Sequence, residues 1–359
     1  MNLDKEQKEV IEAVVKDINN GEQITVLGGH AGVGKTTIVK HLKHFLGDWA
    51  VCAYTGKAAH VLRRKEIPDA STIHSLIYKP LIGPDGSMIL DKNGSPIFTL
   101  AEDLDVSGII VDEASMVSKE IYNDLLSFGL PIIFVGDHGQ LPPIGGNFNI
   151  MEKPKYRLEK IHRNAGEIAH FAEHIRKGFK PSSFISDKAV QFVSASEAKQ
   201  LYSKVDQVIC AYNKTRVEIN IAARVQLLGD AYESGPVVGD KIVCLRNHRQ
   251  QGLFNGMQGI VESLDSKHKN KMVFNSDGEK HEIFFDPTQF NKEKYDFSGE
   301  RDDPHPFDFV FGSTCHKVQG DEFDEGLVIE QVCKNWEHPR WAYVASSRIK
   351  KKCYWCSSR

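Results

Sequence analysis

No apolar run in the 359 residues approaches the roughly 18–20 that a membrane-spanning helix needs. The charged start (Leu3, Asp4, Lys5, Glu6) has none of the apolar stretch of a secretory signal. A cytoplasmic protein without membrane contact is expected, in the host cytoplasm if the chain is viral. Charge of one sign is also missing: 45 Lys and Arg stand against 48 Asp and Glu, a net −3. That excludes a polybasic binder of the histone kind, though not a groove with a local basic lining. The one basic bias, 339–359, has six basic residues and no acidic one, which charge alone reads as a solvated face. Repeats and low-complexity tracts are absent, which argues against solenoids and tethered modules. Cysteine is sparse and odd in number, seven in all, mostly among apolar neighbours, as reduced buried thiols are. Cys353 and Cys356 form a lone C-x-x-C with no second pair at matched spacing, so a structural zinc site is not expected.

What is present is an ordinary globular composition, 41% hydrophobic and 26% charged, on a chain too long for one core. Two domains follow, 1–152 and 153–359. Apolar residues at 10, 11, 14, 15 and 18 make a helical stripe over Lys5–Ile18. Short apolar runs at 24–27, 50–54, 108–111 and 131–135 alternate with helical segments, the pattern of a parallel sheet covered on both faces. Turn signals at Gly83–Gly86 and Lys92–Gly94 predict a β-hairpin insert at about 77–100. A second α/β pattern begins with the run 206–211 and resumes at 326–330. Between them, short alternating runs punctuated by Gly, Asn and Asp predict a small β-barrel insert at about 236–303, with a tight turn at Phe254–Gly256.

The chemistry concentrates first in GHAGVGKT (29–36), which satisfies G-x-x-x-x-G-K-[ST] with a strand before it and a helix after. Glycines let backbone N–H groups converge on a triphosphate, and the helix N-terminus adds positive potential. Lys35 then neutralises β and γ oxygens, and Thr36 serves as an Mg²⁺ ligand. The strand at 108–112 ends in Asp112 and Glu113. Alone, such a pair more often opens a helix. Beside the glycine loop it reads as the acid of the magnesium shell, Asp112, followed by a water-activating Glu113. ATP, with Mg²⁺ on Thr36 and Asp112, is the expected cofactor pair.

The ordered motifs make the reading more specific. They are Gln7, GHAGVGKT (29–36), YTGKAA (54–59), STIHSL (71–76), VDEAS (111–115), VGDHGQLPP (135–143), LEKIHR (158–163), GSTCHKVQG (312–320) and YVASSR (343–348). This series resembles superfamily 1 DNA helicases of the 5′-to-3′ branch, of the RecD and phage Dda type. The resemblance implies two RecA-like P-loop domains, the hairpin in the first and the barrel in the second. It implies a nucleotide set of Gln7, Gly29, Ala31, Gly32, Val33, Gly34, Lys35, Thr36, Thr37 and Gly320. Gln7 would read the adenine edge, Gln140 would sense the γ-phosphate, and Arg163 and Arg348 would stabilise charge developing on it. With Lys35, Asp112 and Glu113 these complete the catalytic set. DNA contacts map onto Thr55, Gly56, Lys57, Thr72, His74, Thr314, His316 and Lys317, types suited to holding phosphates without reading bases. Three positions depart from the family pattern: Tyr54 for Pro, Ser347 for Thr and Val318 for Ser.

The expected activity is ATP-dependent translocation along single-stranded DNA and unwinding at duplex–single-strand junctions, in replication, recombination or repair. The expected protein is a monomer, with a single-stranded-DNA-binding protein or replisome component as partner. Phe98 and Met88 of the hairpin are candidates for the tip or stacking surface. Base steps average about 1.4 kcal/mol, so an apolar wedge is energetically reasonable. The alternative is a nucleic-acid-dependent ATPase that displaces proteins from DNA or RNA without processive unwinding. A non-enzymatic binding module is disfavoured by the intact Lys35, Thr36, Asp112, Glu113, Gln140 and Arg348.

Overall fold

The computed structural model describes residues 3–90, 96–141, 148–160, 166–233, 235–248, 251–295, 304–332 and 336–357. The turn at Lys92–Gly94, Arg163 and Cys333 lie outside the described residues. The chain divides into two compact units, Met1–Ala165 and Gly166–Arg359.

In the first unit the apolar runs become strands and the periodic segments helices. Its elements are α1 (Lys5–Asn19), β1 (Ile24–Gly29), α2 (Lys35–Leu46), β2 (Trp49–Ala53), α3 (Gly56–Arg64), β3 (Ser71–Thr72), α4 (Ile73–Ile77), β4 (Tyr78–Pro80), β5 (Phe98–Leu100), β6 (Gly108–Asp112), α5 (Lys119–Ser127), β7 (Ile132–Gly136) and β8 (Tyr156–Leu158). Asp4 opens α1 with a capping box: its carboxylate accepts from Gln7 N, and Gln7 Oε1 accepts from Asp4 N. The stripe Val10, Ile11 and Val14 is buried, as its period requires. The sheet runs β3-β2-β6-β7-β1-β8, all parallel. Its central strands β6 and β7 are buried throughout, matching their unbroken apolar runs. All strands point one way, so the loops after β1, β2, β3, β6 and β7 gather at the carboxyl edge, where α/β sheets bind ligands. β4 and β5 pair antiparallel as the base of the hairpin, extended by the bridge Ile82 to Met88.

The second unit holds α6 (Gly166–Arg176), β9 (Val190–Phe192), α7 (Ala195–Leu201), β10 (Gln207–Cys210), α8 (Asn213–Leu228), β11 (Lys241–Cys244), β12 (Gln258–Leu264), β13 (Lys271–Ser276), β14 (Glu279–Asp286), β15 (His305–Phe309), β16 (Gly312–Thr314), β17 (Phe323–Ile329), α9 (His338–Ser347) and β18 (Ile349–Cys356). β16-β10-β17-β18-β9 form a parallel sheet. β11 to β15 close into a barrel. Gly259 is required there, since a Cβ would meet the Asn275 carbonyl oxygen at 2.2 Å. The turn at Phe254 is made, with Met257 N donating to Phe254 O at 3.0 Å. The closing strand β15 pairs with both β11 and β14 and lies beyond the alternating runs. All five of its residues are buried, so it shows no alternation to read.

The six described cysteines are free and buried. Cys353 and Cys356 lie three apart on β18, where alternation sends side chains to opposite faces. They do not form a zinc clamp.

Candidate functional site

The glycine loop joins β1 to α2. Gly32 and Gly34 have φ of 82° and 86°, the left-handed region that a Cβ disfavours, and Gly34 caps α2. Gly29 is buried at the end of β1, Val33 is buried beneath the loop, and Ala31, Thr36 and Thr37 are half-buried around it. Lys35 Nζ donates to His30 O at 3.1 Å, so the ammonium is folded over its own loop. Gln7 is buried beneath: its Nε2 donates to Val33 O at 3.1 Å. The Gln7 amide thus ties α1 to the loop, a role its motif position does not disclose.

Beside the loop, β6 delivers Asp112 and Glu113. Burial, then the neighbouring Glu113, pushes the buried Asp112 up to about 6, against the opposing pull of Lys35. Glu113 has φ 52° and ψ 41°, a left-handed conformation costing a non-glycine residue about 1–3 kcal/mol. It turns the chain so that Glu113 O accepts from Met116 N while Gln140 Nε2 donates to the carboxylate. Gln140, from the turn after β7, is 2% exposed. Its Oε1 accepts from Ser115 Oγ at 3.0 Å. Lys35, Asp112, Glu113 and Gln140 therefore share one edge of one sheet, and Ser115 joins them although the motif reading gave it no role. Thr36 is half-buried and Asp112 buried; both offer oxygen, the donor type that Mg²⁺ takes, so the residues present fit that ion.

Thr72 ends β3, paired with Ala53 at the end of β2, and Thr55 follows β2 by two residues. Each caps a helix: Thr55 Oγ1 accepts from Ala58 N, and Thr72 Oγ1 from Ser75 N, both at 3.1 Å. Gly56 and Lys57 form the first turn of α3. His74 is exposed, with its ring 6.1 Å from Tyr54 and 5.5 Å from Tyr78. The hairpin keeps its apolar side chains in solvent: Phe98 is 44% and Met88 54% exposed, so neither is buried in the domain core.

In the second unit, Thr314 ends β16 beside Cys210 of β10 and starts a turn in which Lys317 N donates to Thr314 O at 2.9 Å. Gly320 leaves this turn with φ 84°. His316 is half-buried, its ring 4.4 Å from Trp336, and burial lowers its pKa. Lys317 Nζ lies 4.4 Å from the centre of the Tyr295 ring and donates to its hydroxyl. Packing of that ammonium, with Arg216 nearby, lowers its pKa although the residue as a whole is exposed. Tyr295 OH donates to Asp308 of β15, which is ion-paired with buried Arg216 of α8. The barrel thereby holds a residue of the GSTCHKVQG turn, a link that no local pattern announces. Buried Val318 fills the core.

Arg348 caps α9 and is buried, yet among the described residues its guanidinium hydrogen-bonds only the Ser347 hydroxyl, at 3.1 and 3.4 Å. Among the described residues no carboxylate pairs with it. Buried Arg216 and Arg224, by contrast, pair with Asp308 and Asp240. A buried cation lacking a counter-charge is suited to an anionic ligand.

A family model described as an AAA domain matches residues 2–198, more than half of the chain. The ATP-dependent RecD2 DNA helicase of Deinococcus radiodurans is 31% identical over 72% of the chain and 38% of its own length. The ATP-dependent DNA helicase dda of Enterobacteria phage T4 is 24% identical over 76% of the chain and 66% of its own. The chain thus spans less than two thirds of the length of these relatives. Among solved structures, Pif1 helicase from Bacteroides in complex with ADP-AlF3 and ssDNA matches with a TM-score of 0.63 at 20% identity, over 100% of this chain and 93% of that one. The fold is shared. The chain belongs to the AAA-domain family, and its motifs are those of the superfamily 1 helicases of RecD and Dda type.

Proposed function

We propose that the chain is an ATP-driven DNA motor that translocates 5′-to-3′ on single-stranded DNA and separates duplex at the junction. The observation that carries it is the convergence of Lys35, Asp112, Glu113 and Gln140 at one sheet edge, together with a buried Arg348 that lacks a carboxylate partner among the described residues. Names of relatives support the same work: RecD2 and dda are ATP-dependent DNA helicases.

In this reading the Gly29–Thr36 backbone binds the phosphates and Lys35 leaves the His30 carbonyl to neutralise them. Thr36 and Asp112 would hold Mg²⁺, which would supply neutralisation of phosphate charge when bound. Glu113 accepts the proton of the attacking water, oriented by Gln140. Arg348, together with Arg163, stabilises charge on the transferred phosphate. Thr55, Lys57, Thr72 and His74 in one unit, and Thr314, His316 and Lys317 in the other, grip DNA phosphates. The exposed Phe98 and Met88 face the fork. The protein works wherever its DNA is, the cytoplasm of a cell or of a viral host.

Unwinding of forked duplexes and duplexes with a single 5′ or 3′ tail, at stated salt, tests the reading. Expected are strand separation from the 5′-tailed substrate, turnover stimulated by single-stranded DNA, and loss of both in Lys35→Ala. Removal of a bound protein without strand separation would support the displacement alternative. Unstimulated turnover would refute the motor.

A further inference from the structure

The glycine loop and the turn after β7 carry two histidines that the phosphate chemistry leaves unused. His30 is 4% exposed, and its Nδ1 lies 3.2 Å from Asp137 Oδ1. The His138 ring is half-buried, its centre 4.0 Å from that of His30 and tilted 47°. Asp137, 1% exposed, is fixed by Gly139 N, which donates to Oδ1 at 2.8 Å. One ligand atom from each of the three residues lies within 4.8 Å of the other two.

Two imidazoles and one carboxylate are donors for Zn²⁺, Co²⁺ or Ni²⁺ rather than for Mg²⁺, which takes oxygen. Zn–N and Zn–O bonds of about 2.0–2.2 Å put tetrahedral donors roughly 3.3–3.5 Å apart. The His30–Asp137 pair, at 3.2 Å, is close to that spacing, and the His138 ligand atom, within 4.8 Å of both, would have to approach by about 1 Å or more to close the third side. Burial keeps competing water out, and three protein donors leave a fourth position open.

The position gives such a site a consequence. His30 supplies the carbonyl that Lys35 Nζ donates to. Asp137 O accepts from Gln140 N at 3.1 Å. We propose that His30, Asp137 and His138 form a transition-metal site whose occupancy clamps the glycine loop, with Lys35 folded on His30, to the turn that carries Gln140, and so weakens nucleotide binding. The clamp rests on the phosphate-loop reading; the metal site does not.

Chelator-treated full-length protein is titrated with Zn²⁺ calorimetrically in excess Mg²⁺, and with Co²⁺ while its visible absorption is followed. Wild type is expected to take one Zn²⁺ and to give the intense bands of a tetrahedral Co²⁺ site. His138→Asn and, separately, His30→Gln are expected to weaken Zn²⁺ by at least about tenfold. Thermal unfolding confirms that each variant is folded. No binding by wild type, or unchanged affinity in a folded variant, overturns the site. In the same proteins a fluorescent ADP analogue is expected to bind wild type more weakly with Zn²⁺ than without, and His138→Asn equally under both conditions. Zinc binding that leaves nucleotide affinity unchanged overturns the clamp. Failure of metal-free wild type to bind the analogue would count against the phosphate-loop reading while leaving the metal titration valid.

Discussion

Gln140 and Glu113 are joined at the carboxyl edge of the first sheet, with Gln140 Nε2 donating to Glu113 Oε2 at 3.4 Å and Ser115 Oγ donating to Gln140 Oε1 at 3.0 Å. The amide is held at both ends, so its nitrogen faces the carboxylate. Side chains from the segments that follow two strands are thereby set relative to each other before any ligand arrives, which is the preorganisation that positioned catalysis needs.

Ser115 is therefore a positioning residue. Ser115→Ala removes one hydrogen bond, worth about 1 kcal/mol, which corresponds to roughly a fivefold fall in kcat. KM for ATP should stay within about twofold, because the hydroxyl reaches Gln140 rather than the glycine loop. Steady-state turnover with saturating single-stranded DNA measures both. A change confined to KM would contradict the assignment.

Asp112 sets a pH dependence. Its pKa is raised from an ordinary 3.8 to about 6 by burial and Glu113. A raised carboxyl destabilises the fold fully above the folded pKa, and this loss is relieved as pH falls through about 6 toward 3.8. Asp112→Asn should stabilise the nucleotide-free chain near pH 7 and flatten this group's part of the stability profile between about pH 4 and 6. Thermal unfolding of the nucleotide- and metal-free proteins across that range provides the check; wild-type and Asp112→Asn stability profiles of the same shape between about pH 4 and 6 would refute the assigned burial effect.

The phosphate loop was legible because its physics is local: glycines at 32 and 34 take positive φ, and Lys35 and Thr36 follow on the helix. The α/β alternation was legible for the same reason, since β1, β2, β6 and β7 are each one short apolar run, whereas the short edge strands β3 (Ser71–Thr72) and β8 (Tyr156–Leu158) are not. The closing barrel strand was not. His305–Phe309 is wholly buried, and its acidic residue is satisfied from afar, Asp308 by Arg216 some 92 positions away. The His30, Asp137 and His138 cluster was hidden likewise, since His30 and Asp137 are 107 residues apart. Gln7 shows the limit of a motif: its position suggests base contact, while its amide also ties α1 to Val33.

Tyr295 links the barrel to the GSTCHKVQG turn and separates two contributions. Tyr295→Phe keeps the ring beneath Lys317 but removes the hydroxyl that donates to Asp308 at 2.8 Å. It should destabilise the chain by about 1 kcal/mol and weaken single-stranded DNA by no more than about twofold. Tyr295→Ala also frees the Lys317 ammonium from its ring contact, worth about 0.5–2 kcal/mol, and should weaken DNA by about tenfold. Fluorescence anisotropy at fixed salt and urea denaturation distinguish the two. Equal DNA affinity in all three proteins would remove Tyr295 from the DNA-holding turn.

Two buried arginines of the second unit allow a sharper comparison. Arg224 lies 4.0 Å from the Phe309 ring centre, pairs with Asp240 at 3.1 Å and donates to Gly235 O at 2.9 Å. Arg224→Met strands a buried carboxylate, which costs about 3–5 kcal/mol. Among the described residues the Arg348 guanidinium hydrogen-bonds only the Ser347 hydroxyl and has no carboxylate partner. Arg348→Met strands no charge, so stability in urea should change by less than about 1 kcal/mol or rise. If Arg348 stabilises charge on the transferred phosphate, turnover should nonetheless fall by about 10³-fold or more. The pair of measurements separates a structural arginine from a chemical one. Comparable unfolding of both variants would make Arg348 part of the scaffold, whereas intact stability with lost turnover identifies its guanidinium as a group whose partner is the nucleotide.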